Sequence, residues 1–254
     1  MLSYYLFFGS LYFIYGICIG SFLNVCIYRI PEEISLVRGR SMCTSCGHTL
    51  HAYDLVPLFS WIFLRGKCRY CGAPISARYP VVELLTGILY VVVFLACGPT
   101  LISVIYCLFG SSLIAASGID LDHLYVPDRF HVCTLILAAV SYFTGNSESI
   151  KSLLAGSLLV GGFMLLISLA THGGIGGGDI RLMAASGLLL GLPRNAFAFI
   201  LAYIAAGLVC FIPLLKGHMN RKTEVPMVPF FAFALMVSAL WGHELLNWYL
   251  HLFL

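Results

Sequence analysis

Charged residues are scarce in this sequence, making up only 10% of its 254 residues. A soluble domain carries about 25% charged residues, so the shortage excludes an ordinary water-soluble protein. Apolar residues instead account for 60% of the chain. The formal net charge of +3 is too small to indicate nucleic-acid binding. The composition therefore predicts a membrane protein that has the lipid bilayer as a partner and binds no nucleic acid.

The N-terminus lacks both marks of a secretory signal peptide, which are a basic first region and a small-residue cleavage site. No charged side chain occurs between Met1 and Tyr28. We therefore expect a retained first membrane helix within residues 1–30. Two further segments follow it, a polar loop over residues 31–79 and a membrane core over residues 80–254.

Long windows without charge mark the expected membrane spans, because crossing the hydrocarbon layer takes roughly 20 apolar residues. The window from Leu84 to Ile119 is interrupted by Gly98-Pro99-Thr100, which predicts a tight hairpin of two spans. The segment 180–193 is short, and a re-entrant segment is its alternative. We predict an all-α polytopic fold of about eight spans: residues 2–28, two spans within 84–119, then 129–145, 152–171, 180–193, 195–215 and 228–250.

Basic residues indicate how these spans are oriented. With eight spans and the N-terminus outside, every one of the 14 Lys and Arg residues except Lys151 and Arg194 falls on one side. Seven spans would move the basic cluster Lys216, Arg221 and Lys222 to the other side. Because basic residues accumulate on the cytoplasmic side of membrane proteins, the count favours eight spans and a cytoplasmic loop.

Two C-x-x-C pairs lie in that loop, Cys43 with Cys46 and Cys68 with Cys71. Four thiolates at this spacing are typical of a tetrahedral zinc site. Disulfides or redox dithiols are the alternatives, but a reducing cytoplasm disfavours the first and no strand–helix pattern supports the second. Four protein ligands leave no open position for water. The sequence therefore predicts a small zinc-binding loop domain whose metal is structural.

Acidic residues at the ends of predicted spans call for a physical reason, because a charge at the centre of a membrane helix costs roughly 2.5–3.5 kcal/mol. Asp120 ends one span, and Asp179 ends a segment with five glycines, Gly173–Gly178. Those glycines allow positive φ angles and close approach of another chain. In the eight-span topology both aspartates emerge at the cytoplasmic edge. We therefore expect them to meet.

Two carboxylates brought together in a partly dry site cannot both ionise easily and so share one proton. One then acts as base and the other as acid, which activates water against a peptide carbonyl. We expect Asp122 and Asp128 to be boundary residues in contact with water or capping a helix. Glu83, at the start of its span, is expected to face the headgroups, to be structural or to contact substrate.

The same two acids also fit a transporter that relays protons, with the cysteine loop as a gate. Coupling sites in transporters usually lie near the middle of the membrane and between repeated halves. Both aspartates here are predicted at one edge, and the sequence shows no repeat, so we favour hydrolysis. A methyltransferase or an assembly scaffold with little peptidase activity is a third hypothesis.

Several motifs in one order resemble the type IV prepilin peptidase family. They extend from about residue 16 to residue 235. Arg181, Met227 and Cys26 depart from the usual residues of that family without touching the two aspartates. The motifs are Gly20-Ser21-Phe22-Leu23-Asn24-Val25, Tyr28-Arg29-Ile30-Pro31, the paired cysteines, Ser76-Ala77-Arg78-Tyr79-Pro80 with Glu83, Asp120 to Asp128, Gly173 to Asp179, and Val225-Pro226-Met227-Val228-Pro229-Phe230.

This resemblance implies a G-x-G-D intramembrane aspartyl peptidase of the bacterial inner membrane, with Asp120 and Asp179 as the catalytic pair. The family cleaves the leader of prepilins and type II secretion pseudopilins after a glycine, on the cytoplasmic side. It often then methylates the new N-terminus with S-adenosylmethionine, for which no residue is marked in this sequence. We expect Gly176, Gly178 and Glu83 to contact substrate.

Overall fold

The computed structural model describes residues 1–145, 148–215 and 224–253. Throughout these residues the regular structure is helical, with two isolated β-bridges and no sheet. The predicted all-α fold is confirmed. The described elements are α1 (Leu2–Arg29), a 3₁₀ helix (Ala52–Leu55), α2 (Phe59–Phe63), α3 (Arg78–Cys97), α4 (Leu101–His123), α5 (Asp128–Phe143), α6 (Ile150–Ala170), α7 (Gly177–Leu190), α8 (Leu192–Leu215) and α9 (Val228–Phe253).

Six of these helices are long and apolar enough to cross a membrane, namely α1, α3, α4, α6, α8 and α9. This confirms a multi-pass membrane protein. Helices α5 and α7 also lie on predicted spans, but they have only 16 and 14 residues. The count of eight spans therefore stays a prediction. The basic cluster Lys216, Arg221 and Lys222, used in that count, lies outside the described residues.

The predicted break between the second and third long helices is present, and their pairing as a hairpin stays a prediction. Helix α3 ends at Cys97 and α4 begins at Leu101. Gly98 takes a φ of 64°, a left-handed conformation that favours glycine. The three-residue break read from the sequence is therefore a tight turn.

The chain divides into two compact units, unit 1 over Met1–Ser103 and unit 2 over Val104–Leu254. Unit 1 contains α1, the cysteine loop and α3, whereas unit 2 contains nearly all of α4 and the helices that follow it. The division into segments 1–30, 31–79 and 80–254 stays a prediction.

In unit 1, α1 and α3 pack backbone against backbone. A Cβ atom added to Gly16 would lie 2.7 Å from Cα of Gly87, and one added to Gly20 would lie 2.7 Å from Cα of Glu83. Small residues four apart allow such close contact between membrane helices, where van der Waals packing replaces the hydrophobic effect. The glycines of α1 therefore determine how closely α3 approaches.

In unit 2, the short helix α7 is surrounded by longer ones. It contacts α5, α6, α8 and α9, and half of its residues are buried. Its contact with α6 is so close that a Cβ on Gly187 would lie 2.4 Å from the backbone of Gly156. A helix of 14 residues is thus held in place by its neighbours rather than by its own length.

A buried ion pair lies at the C-terminal end of α7. Arg194, predicted on the side of the membrane opposite to most basic residues, is only 5% exposed. Its Nε donates a hydrogen bond to the carbonyl oxygen of Leu190 at 2.8 Å, and Nη1 donates to the hydroxyl of Tyr106 at 3.1 Å. Its Nη2 lies 3.4 Å from Oε1 of Glu148, and Nε2 of His243 lies 3.3 Å from the same oxygen. This cluster links α4, α7, α8 and α9.

Candidate active site

Asp120 lies near the C-terminal end of α4 and is buried, at 6% exposure. Its Oδ2 accepts a hydrogen bond from the backbone N–H of Val228, at 3.0 Å. Val228 is the first residue of α9, and the N–H groups of a first turn have no partner within their own helix. The partial positive charge of a helix N-terminus also favours a carboxylate there. The start of α9 therefore orients Asp120.

The contact between Asp120 and Val228 was not predicted from the sequence. The signal that points to it is the pair of prolines, Pro226 and Pro229, on either side of Val228. Proline is tolerated in the first turn of a helix and marks where a helix begins. The motif that carried part of the family resemblance thus has a physical role, because it starts the helix whose first N–H reaches Asp120.

Asp179 lies in the first turn of α7 and is half-buried. Gly176 caps this helix with a φ of −61° and a ψ of 135°. Oδ2 of Asp179 lies 3.3 Å from the position that a Cβ on Gly176 would take. The carboxyl group therefore turns back over the N-cap residue, where a larger side chain would crowd it.

The two aspartates lie within electrostatic range of each other. They belong to different helices, α4 and α7, yet the charge of Asp120 acts on the carboxyl group of Asp179. Asp120 is nearly enclosed, whereas Asp179 remains half-buried. Two carboxylates in such a site can share a proton and divide the tasks of acid and base.

The glycine-rich segment before Asp179 works mainly through close packing. Positive φ was expected for its glycines, but of the five only Gly173 takes such an angle, at 97°. Gly178 lies against the turn that follows α4, where its own Cβ would be 3.1 Å from the side chain of Val126. Gly176 is exposed. Of the two glycines predicted to contact substrate, Gly176 is therefore the more accessible.

An ion pair holds the first turn of α7 against α5. Nη1 of Arg181 pairs with Oδ1 of Asp128, and both side chains are exposed, at 59% and 71%. Asp122 is exposed as well. The expectation that Asp122 and Asp128 are boundary residues agrees with these positions. Because Arg181 is two residues from Asp179, the pair also restrains the helix turn that carries the acid.

Glu83 lies in unit 1 and is buried, at 7% exposure. Its Oε2 accepts a hydrogen bond from the backbone N–H of Leu58 at 2.7 Å. Leu58 has a φ of 62° and caps the N-terminus of α2. Glu83 therefore does not simply face the headgroups; it joins the cysteine loop to α3. Its contact with substrate stays a prediction.

The four loop cysteines converge as a zinc site requires. The Sγ atoms of Cys43, Cys46, Cys68 and Cys71 all lie within 4.8 Å of one another. Those of Cys43 and Cys71 are 3.9 Å apart. Tetrahedral zinc with bonds of ~2.3 Å would separate its sulfur ligands by about 3.8 Å. The donor set and its spacing therefore fit a zinc ion held by thiolates alone.

Each C-x-x-C pair sits in a knuckle turn. In the first, the N–H of Cys43 donates to the carbonyl of His48 and the N–H of Gly47 donates to the carbonyl of Cys43, both at 2.9 Å. The second knuckle has equivalent hydrogen bonds, at 2.8 and 2.9 Å, around Cys68 and Gly72. Both glycines take positive φ, at 70° and 73°. The glycine after each pair thus completes the turn that aims the thiols inward.

Backbone hydrogen bonds also prepare the first thiol for a metal. The N–H groups of Cys46 and Ser45 donate to the sulfur of Cys43 and lower the pKa of that thiol to about 6. Zinc binds the thiolate form. Cys43 is therefore ready to bind at neutral pH.

Comparison with known families bears on both units. The Type IV leader peptidase family matches residues 107–211, which include both aspartates. The Bacterial Peptidase A24 N-terminal domain matches residues 14–97, which include the cysteine loop. No solved structure matches the chain significantly.

Individual relatives match along almost the whole chain. A prepilin leader peptidase/N-methyltransferase of Aeromonas hydrophila is 34% identical over 96% of this chain and 94% of its own length. A protein of the same name from Bacillus subtilis (strain 168) is 32% identical over 95% of this chain and 97% of its own. One from Myxococcus xanthus (strain DK1622) is 35% identical over 86% of this chain and 68% of its own.

Proposed function

The chain belongs to the Type IV leader peptidase family, and on that premise we propose that it is an aspartyl endopeptidase that removes the leader of type IV prepilins or pseudopilins. One observation carries the proposal: Asp120 and Asp179, from separate helices, lie close enough for their charges to interact. A catalytic pair of carboxylates needs this proximity.

In the proposed reaction the two carboxylates share one proton and hold a water molecule. The ionised carboxylate takes a proton from water as its oxygen attacks the carbonyl carbon of the scissile bond. The π electrons move onto the carbonyl oxygen. When the carbonyl reforms, the C–N bond breaks and the protonated carboxyl group gives its proton to the leaving amine. Either aspartate can act as the base.

Three residues are proposed to contact the substrate. Gly176 is exposed beside Asp179, so an extended peptide can approach the acid there without meeting a side chain. Gly178 and Glu83 are also proposed as substrate contacts, because both belong to the motifs that resemble the family. Cleavage after glycine suits a site in which backbones approach closely.

The proposed location is the bacterial inner membrane, with the active site facing the cytoplasm. The distribution of basic residues supports this orientation, because all except Lys151 and Arg194 fall on one side in the eight-span arrangement.

Methylation of the new N-terminus is proposed as a second activity, because the relatives carry the name N-methyltransferase. S-adenosylmethionine would supply the methyl group, and no residue of this chain is assigned to it. Mass spectrometry of the processed pilin tests this part: a methylated N-terminal amine supports it, and an unmethylated one rejects it.

A zinc ion bound by the four cysteines would hold the two knuckles of the cysteine loop together.

The peptidase proposal is tested with purified protein in lipid vesicles and a full-length prepilin. Asp120→Asn and Asp179→Asn should each lower cleavage at least ~1,000-fold, since neither amide can exchange the catalytic proton. Asp122→Asn is the matched control, an exposed aspartate on the same helix as Asp120. Zinc content and unfolding temperature should stay at wild-type values in all three variants.

Cleavage that survives in either Asn variant would reject the catalytic pair. The same vesicles also separate hydrolysis from ion transport. Aspartate-dependent proton flux without peptide cleavage would favour the transporter instead.

A further inference from the structure

Tyr203, on α8, is associated with both aspartates. Its ring packs edge-to-face against Phe231, with centroids 5.8 Å apart and planes at 79°. Phe231 is fully buried in the first turn of α9, which begins at Val228, the residue that donates to Asp120. The charge of Asp179 acts on the Tyr203 hydroxyl. Tyr203 thus packs against the helix turn that holds one acid and lies within electrostatic reach of the other.

The hydroxyl of Tyr203 makes no hydrogen bond to any described residue, and the residue is partly exposed, at 37%. Phe199 covers another side of the ring, with centroids 4.9 Å apart. Helix α8 is among those long enough to cross the membrane. A phenol in apolar surroundings usually finds a partner, because an unpaired donor is costly there. The free donor therefore suits a ligand with an acceptor oxygen.

The face of α8 that carries Tyr203 is open. A Cβ on Gly207, one turn further along, would meet no atom within 4 Å. Cys210, one turn beyond, lines an apolar cavity of about 260 Å³ together with Leu121 and Phe230. Residues three, four and seven apart share a helix face. Leu121 follows Asp120 in the chain, so the cavity borders the segment that carries this acid.

We propose that Tyr203 is a third catalytic residue, whose hydroxyl donates a hydrogen bond to the carbonyl oxygen of the peptide bond being cleaved. The inference rests on the proposed peptidase function and adds a group to it. The two carboxylates supply the base and the acid, but neither is assigned to the carbonyl oxygen. Tyr203 provides the donor at that position.

In this step the oxygen of water bonds to the carbonyl carbon, and the π electrons become a lone pair on the carbonyl oxygen. The Tyr203 hydroxyl stabilises that negative charge and keeps its own proton. When the C=O bond reforms, the C–N bond breaks and a carboxyl proton passes to the amine. A donor aimed at developing charge is worth more in a site that excludes water.

Tyr203→Phe tests the inference, because it removes one oxygen and keeps the ring that packs on Phe231 and Phe199. Cleavage of a prepilin by the full chain in lipid vesicles should show kcat lowered about 100-fold, which is the usual loss for one such donor. KM should change by less than about threefold, since the hydrogen bond strengthens only in the transition state. Tyr142→Phe, an exposed tyrosine on α5, should match wild type.

The unfolding temperature of Tyr203→Phe should equal that of wild type, which separates a catalytic defect from misfolding. If the unfolding temperature of Tyr203→Phe falls, Tyr203→Met is the second variant, since it also lacks the hydroxyl but has a flexible apolar side chain. The two variants should then have the same low kcat. A kcat within threefold of wild type in the Phe variant would overturn the role of Tyr203. Absence of cleavage by the wild-type protein would instead reject the proposed function.

Discussion

Unit 1 and unit 2 position their polar groups by different means. The loop of unit 1 has no buried residue in its 3₁₀ helix or in α2, so it lacks an apolar core of its own. Four converging thiols take the place of that core. Unit 2 instead surrounds α7 with four other helices and places its acids on helix ends. A metal held by these thiols would stabilise the loop as packing stabilises the helix bundle.

Both units nevertheless share one packing device. The α1–α3 contact in unit 1 and the α6–α7 contact in unit 2 each depend on glycines whose added Cβ atoms would strike the opposing backbone. Membrane helices gain little by hiding apolar side chains from lipid, so they gain affinity by close approach. The units differ in how their polar residues are positioned, by converging thiols in unit 1 and by packed helix ends in unit 2.

The sharpest test of this contrast is removal of the metal ligands. Wild-type protein should contain about one zinc per chain, and Cys43→Ser should contain almost none, because three thiolates hold zinc much less well than four. Cys18→Ser, at an exposed cysteine of α1, is the control and should keep its zinc. Elemental analysis of the purified proteins measures this. Equal zinc contents in Cys43→Ser and wild type would show that the four thiols do not bind the zinc.

The next largest effect is expected in unit 2. Glu148→Ala leaves Arg194 buried without its carboxylate and should destabilise the protein by ~3–5 kcal/mol. Asp128→Ala removes the partner of an exposed arginine and should cost less than about 1 kcal/mol. Unfolding by detergent titration in mixed micelles compares the two. Similar losses would show that burial does not govern the strength of these ion pairs.

A smaller effect should come from the helix contacts that both units share. Gly187→Ala would place a methyl group 2.4 Å from the backbone of Gly156 and should destabilise unit 2 by ~1–3 kcal/mol. Gly16→Ala should act similarly in unit 1. Gly162→Ala, with no atom within 4 Å of its added Cβ, should be neutral or stabilising. If all three behave alike, the glycine contacts do not determine helix spacing.

The smallest expected effect concerns acidity in the zinc-free loop. The pKa of Cys43 is lowered to about 6, so its thiolate is present above that pH and is lost as the pH falls through it. In metal-free protein, the rate of cysteine alkylation plotted against pH should therefore rise in one step with its midpoint near pH 6. Cys43→Ser should lack that step. If the alkylation rate of the wild-type protein shows no step near pH 6, the backbone hydrogen bonds of the knuckle do not lower the pKa of Cys43.

Some of this structure could be predicted because it depends on local patterns. Charge-free windows located the long helices, Gly98 marked the break between α3 and α4, and the C-x-x-C spacing indicated a metal site. The ion pair of Arg194 was not predicted, because its partners Tyr106 and Glu148 are far from it in the chain. The contact between Asp120 and Val228 was missed for the same reason.

By itself, the sequence determined the membrane class, the helices, the four thiols and the two candidate acids, since each follows from composition or from spacing within one segment. Only the tertiary structure decided what those groups meet. It determined that the N–H of Val228 donates to Asp120, that Gly178 packs against Val126, and that the ring of Phe231 packs against Tyr203. Such contacts join residues far apart in the chain, and their distances depend on how helices pack rather than on local propensity.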